Sequence, residues 1–218
     1  MREYIIEAVK NTSKHFRFGG VPVHYREDFS NDFRHEETFL NVEEILPDCV
    51  FQNLQGVDIG HHEMFDQRDA SAIYKDGVIF ISSKQDNMSD LADDIIHELA
   101  HHVETLYPEE IYGDHSLKNE FLKKRGQLEF ELRSEGYWTG EYDFKNLKYD
   151  QNLDVFLYKR VGEKLFRMVT AGLFVRPYAS VSLREYWATG FEHYFLGDRE
   201  KLKEISPALY EKVKMLHK

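Results

Sequence analysis

The chain has 218 residues, a formal net charge of -11 and a single cysteine among 42% hydrophobic and 14% aromatic residues. That length and composition suffice to bury a core and exclude wholesale disorder, while the acidic balance argues against nucleic acid or an anionic membrane as a main partner, because both call for a basic surface. One cysteine, Cys49, excludes an intramolecular disulfide and any zinc ribbon of paired CxxC motifs.

Residues 1 to about 15 read as a short helix with Ile5, Ile6 and Val9 on one side. The charges at Arg2, Glu3 and Glu7 interrupt what would otherwise be the apolar run of a signal peptide. No stretch reaches the length needed to cross a bilayer. The expectation is a protein working in a reducing compartment, cytoplasmic or delivered without a classical signal peptide. Residues 20 to 85 are rich in turn formers, with short apolar patches ("VPVHY", "TFLNV", "DCVFQNL"), and predict strands and loops. The strongest pair in that region is "SAIYKDGVIFISS", where Asp76-Gly77 is a tight-turn signal between Ala72–Tyr74 and Val78–Ile81.

Ser89 is a candidate N-cap for the next element. Leu91, Ile95, Leu99 and Val103 then recur every four residues, predicting an amphipathic helix to about Leu106, stopped before Pro108. Further helices are expected in "SLKNEFLKKRGQLEFELRSEGY", "NLDVFLYKRVGEKLFRMVTAGLF", "VSLREYWATGFEHYFLG" with Ser182 as cap, and "SPALYEKVKMLHK" with Ser206 as cap and Pro207 at the first helical position. Strands followed by a helical half predict an α+β fold, a small mixed or antiparallel sheet packed on the Ser89–Leu106 helix. No linker or repeat divides the chain, so one domain is expected over residues 1–218.

That helix carries "DDIIHELAHHVE", Asp93 to Glu104. His97 and His101, four apart, share a helix face and can bind one zinc ion together. Glu98 sits one step round, where it can act as general base towards a water activated by the metal. A hydrolytic zinc site takes three protein ligands. The HExxHxxGxxH pattern is excluded, because Glu104 and Tyr107 stand where it needs Gly and His. A carboxylate from a later helix remains. Glu185 leads, on an aromatic-rich helix where an acid needs a partner; Glu192 and His193 are alternatives. Val78 to Ser83, just before the motif, is a strand along which an extended peptide could pair, through Val78, Phe80 and Ser82. His61-His62-Glu63 reads as a loop feature, Cys49 as a small core residue rather than a nucleophile, Trp138 and Trp187 as core, and His102 as solvated.

"HELAHH" followed by "PYASVSLREYWATGFEHYF" resembles the catalytic domain of anthrax lethal factor and its smaller relatives, the Pro-Pro endopeptidases. In that family the third zinc ligand opens an E-aromatic-aromatic-A segment, matched by "EYWA" at Glu185, and a tyrosine stands seven residues before it, matched by Tyr178. The ending "LGDREKLKEISPALYEKVKML" is similar to the family's closing pattern, and the resemblance spans roughly residues 70 to 215. It implies one zinc per chain held by His97, His101 and Glu185, water activation by Glu98, and a hydrogen bond from Tyr178 to the oxyanion of the tetrahedral intermediate. The expected function is a zinc metalloendopeptidase acting on a protein or peptide substrate. The alternative is a catalytically silent binding protein that keeps the peptidase fold. Nothing in the sequence sets an oligomeric state.

Overall fold

The computed structural model describes residues 16–29, 33–68 and 70–216. The expected N-terminal helix falls outside them. The fold is mixed α+β, with a five-stranded mixed sheet in the first half and a mostly helical second half. It divides into two compact units, Met1–His102 and Val103–Lys218.

In the first unit, strands β1 (Arg17–Phe18) and β2 (Val21–Tyr25) form an antiparallel hairpin, followed by helix α1 (His35–Ile45), a 3-10 turn (Asp48–Phe51) and strand β3 (Gly56–Ile59). Helix α2 (Glu63–Arg68) leads to strands β4 (Ala72–Lys75) and β5 (Val78–Ile81), and then to the long helix α3 (Met88–Leu106). The sheet order is β1-β2-β3-β5-β4, with β3 parallel to both β2 and β5, and β4 antiparallel to β5. The β4–β5 turn has positive φ at both central residues, Asp76 (51°) and Gly77 (85°), the mirror-image geometry that an Asp-Gly pair supplies. Val57, Ile59, Ile79 and Ile81 of the sheet and Leu91, Ile95 and Leu99 of α3 are fully buried.

Some local expectations change. "TFLNV" belongs to a helix, because Phe39, Val42 and Leu46 recur at helical spacing and all three are buried. The cap of α3 is Asn87, not Ser89: its Oδ1 accepts from the main-chain N–H groups of Ser89 (2.9 Å) and Asp90 (3.0 Å). Trp138 is 74% exposed, so only Trp187 is a core residue.

The second unit contains α4 (Pro108–Tyr112), α5 (Ser116–Ser134), α6 (Gln151–Val155), a π-helical turn (Phe156–Gly162), α7 (Glu163–Thr170), a 3-10 turn (Pro177–Ser180), α8 (Leu183–Leu196), α9 (Arg199–Ile205) and α10 (Pro207–Met215). Ser182 caps α8, its hydroxyl accepting from the Glu185 N–H at 3.1 Å. Ser206 does not cap α10; its hydroxyl accepts instead from Lys124 Nζ. The α10 N-terminus is served by Glu120, whose carboxylate accepts from the N–H groups of Ala208 and Leu209. Gly190 lets α8 approach α10 closely, since a Cβ there would stand 2.1 Å from Leu209. Among the described residues no helix is long and apolar enough to cross a membrane.

Candidate metal centre

Helix α3 carries His97, Glu98 and His101 with their ligand-competent atoms all within 4.8 Å of one another, the group among the described residues that could hold a metal ion. The two imidazole centroids are 4.9 Å apart and nearly perpendicular, at 88°. At that spacing side-chain torsions alone can bring both rings to the roughly 2.0–2.1 Å that Zn–N bonds need. Two neutral imidazoles beside a carboxylate are a donor set suited to zinc, so the residues fit the ion.

Glu98 is fixed from the sheet. The Ser82 N–H donates to the Ser71 carbonyl at 2.7 Å, which makes Ser71 and Ser82 a hydrogen-bonded pair of the β4–β5 ladder. Alternation then turns the main-chain groups of Ala72 and Tyr74 away from β5. The Tyr74 N–H, directed out of the sheet, donates to Glu98 Oε2 at 2.5 Å. The bond takes one carboxylate oxygen and leaves the other for proton transfer. It also pins a side chain that is only 9% exposed.

Asp94, one turn before Glu98 on α3, accepts from the Gln85 amide at 3.1 Å. Burial raises its carboxyl to about 6; the Gln85 bond opposes that shift and the nearby Glu98 charge adds to it. His102 is not solvated. It is 1% exposed, with Nε2 at 2.8 Å from the Gln52 carbonyl and Nδ1 at 3.1 Å from the Tyr74 hydroxyl. Burial lowers its pKa, so the ring is neutral.

The expected peptide-pairing strand requires a correction. β5, which carries Val78 and Phe80, is an inner strand with β3 on one side and β4 on the other, and Ser82 just beyond it is paired to Ser71. Its ladder is complete, and a peptide cannot add to it. Among the described residues the strand that ends this side of the sheet is β4. His62 is 8% exposed, bonds Asp58 at 3.1 Å and packs against Phe65 and Phe80, so "GHHEM" makes a structural contact rather than a second metal group. Burial raises the Cys49 thiol pKa, which disfavours a nucleophilic thiolate.

In the second unit Glu185 occupies the first turn of α8, just after Ser182. The neighbouring Arg184 pairs with Glu104 at 3.2 Å, and Glu104 in turn accepts from the Tyr112 hydroxyl at 2.7 Å. Tyr178 lies on the 3-10 turn ahead of α8 and keeps 43% of its surface exposed. Desolvation around its phenol raises its pKa, and the charges of Glu185 and Asp154 reinforce the shift. Tyr178 and Glu185 thus lie on consecutive elements of this unit. Of the alternatives to Glu185, Glu192 is buried in an ion pair with Arg176 at 2.7 Å, and the His193 ring lies against Gly197.

Sequence reasoning missed Tyr74, Gln52 and the burial of His102. Their contacts span 24 to 50 residues of chain, and no local pattern announces them. The chain matches no known family model, no curated protein and no solved structure.

Proposed function

We propose that the protein is a zinc-dependent metalloendopeptidase that hydrolyses peptide bonds of a polypeptide substrate. One observation carries this reading: two histidines and a glutamate cluster on one helix, and the glutamate is oriented by a main-chain N–H from the adjacent strand. His97 and His101 would hold the ion, and Glu185 is the third ligand we propose. The ion would supply Lewis-acid polarisation of the scissile carbonyl and a lowered pKa for the attacking water. Glu98 accepts the water's proton on the oxygen not bonded to Tyr74 and passes it to the leaving amine. Tyr178, a phenol that stays protonated at neutral pH, donates a hydrogen bond to the developing oxyanion. The motif's order and spacing, and the likeness to the lethal factor family in "HELAHH" and "EYWA", support the assignment of these roles.

The test joins metal analysis to proteolysis. Zinc-supplied wild type should retain about one ion per chain, the number a mononuclear site requires, and both His97→Ala and Glu185→Ala should lose it. A peptide library made from a digested proteome should then acquire new termini with wild type and none with Glu98→Gln. Failure to bind zinc would overturn the reading. Zinc retained by wild type without any new termini would favour the silent binding protein.

A further inference from the structure

Glu98 and His102 are one helical turn apart on α3, and both are held by the same residue of β4. The Tyr74 main-chain N–H donates to Glu98 Oε2 at 2.5 Å, and the Tyr74 hydroxyl meets His102 Nδ1 at 3.1 Å. The far side of the imidazole, Nε2, lies 2.8 Å from the Gln52 carbonyl. A carbonyl only accepts, so Nε2 carries the proton. Nδ1 is then bare, and the Tyr74 hydroxyl must donate to it. Every bond in the chain Tyr74 O–H to His102 to Gln52 C=O therefore has one direction, and His102, 1% exposed, is shielded from bulk solvent.

We propose that Tyr74 and His102 act together as positioning residues for the Glu98 carboxylate. Residues i and i+4 present the same helix face. By gripping that face at two points one turn apart, Tyr74 prevents α3 from rolling against β4. His102, anchored to the loop at Gln52, holds the tyrosine side chain, and the tyrosine backbone holds the carboxylate. The inference deepens the proposed function, since it rests on Glu98 being the base. It adds that the geometry of this base is set by a histidine next to the metal-binding motif that neither binds the ion nor touches substrate.

The experiment uses the full chain labelled with 15N-tyrosine, with the Tyr74 amide identified by its loss in Tyr74→Phe. A short N–H to carboxylate bond places this amide downfield, and Glu98→Gln should move it upfield. His102→Ala should move it the same way without loss of zinc. It should also lower kcat on a peptide cut in the library by about 10–100-fold, with KM unchanged. His102→Gln, which keeps one donor and one acceptor, should restore part of both effects, and serves in place of His102→Ala if that variant does not fold. A Tyr74 amide unmoved by either His102 variant would overturn the proposal. So would an amide that moves while kcat stays at the wild-type value, because the contact would then be structural only. Undiminished turnover in Glu98→Gln would instead remove Glu98 as base, and the amide alone would then decide whether His102 positions the carboxylate.

Discussion

The two units satisfy their buried polar groups by different means. In the first, the sheet ladder pairs much of the backbone, and two buried side chains on α3, one anionic and one neutral, meet main-chain groups: Glu98 with the Tyr74 N–H, His102 with the Gln52 carbonyl. In the second, helix ends and the loops between helices present main-chain carbonyls to the interior, and buried cations collect them. Lys124 donates to the carbonyls of Leu173 and Ile205 and to the Ser206 hydroxyl. Arg125, fully buried between the Phe121 and Phe144 rings, donates to the carbonyls of Ser180, Val181 and Asp143. Lys212 donates to the Glu110 carbonyl at 2.6 Å and also pairs with Asp114 at 3.0 Å. The helical unit thus turns buried cations towards main-chain carbonyls, Lys124 and Arg125 foremost, whereas the sheet unit meets its buried main chain with Glu98 and His102.

The largest effect that would sharpen this contrast is on turnover. Glu98→Gln should lower hydrolysis by about 10²–10⁴-fold while leaving the urea midpoint of both units where it was; a shift in the midpoint would mean the carboxylate is structural. Next comes stability of the second unit alone. Both tryptophans of the chain, Trp138 and Trp187, lie in it, so tryptophan fluorescence reports its unfolding. Arg125→Met should cost about 3 kcal/mol by that probe, since it strands three buried carbonyls. A loss below about 0.5 kcal/mol, the size of an ordinary surface effect, would break the comparison.

Alkaline pH should also weaken the second unit. Tyr186 donates to Glu120 at 2.8 Å and Tyr112 to Glu104 at 2.7 Å, and burial beside these acids raises both phenol pKa values. A folded-state pKa above the unfolded value means stability that is complete below about pH 10 and lost as pH rises beyond it. The fluorescence-detected midpoint should therefore fall above pH 10, and Tyr186→Phe should flatten the fall; an unchanged slope would exclude Tyr186 from it. The smallest effect is at the start of α3. Asn87→Ala should cost about 1 kcal/mol by far-UV dichroism, and Ser89→Ala almost nothing. The reverse order would restore Ser89 as the cap.

The elements legible in the sequence were those whose signal is local. Leu91, Ile95 and Leu99 mark α3 by their spacing, and Asp76-Gly77 marks the β4–β5 hairpin because its turn needs positive φ at both positions. Ser182 was found as a cap because its partner, the Glu185 N–H, is three residues away. Ser206 was misread because its neighbour Lys124 is 82 residues distant in the chain. Likewise nothing near His102 reveals Tyr74 or Gln52, and nothing near Trp138 reveals that its ring is left outside the core. Of the candidate site, the helix-borne trio could be read from the motif alone. The bond that orients Glu98 depends on which strand ends the sheet, and strand order is a property of the whole unit.

The Tyr74–Glu98 bond also bears on how copies of the chain behave towards one another. A terminal strand with a row of open amides is a template on which another molecule's strand can nucleate, the usual beginning of ordered aggregation. β4 offers a poor template: it is four residues long, Ala72 and Ile73 are less than 10% exposed, and the outward amide of Tyr74 is already claimed by an acid. The contact that aims a carboxylate thereby also occupies the outward amide at the middle of this border, which lowers the tendency of β4 to template another strand.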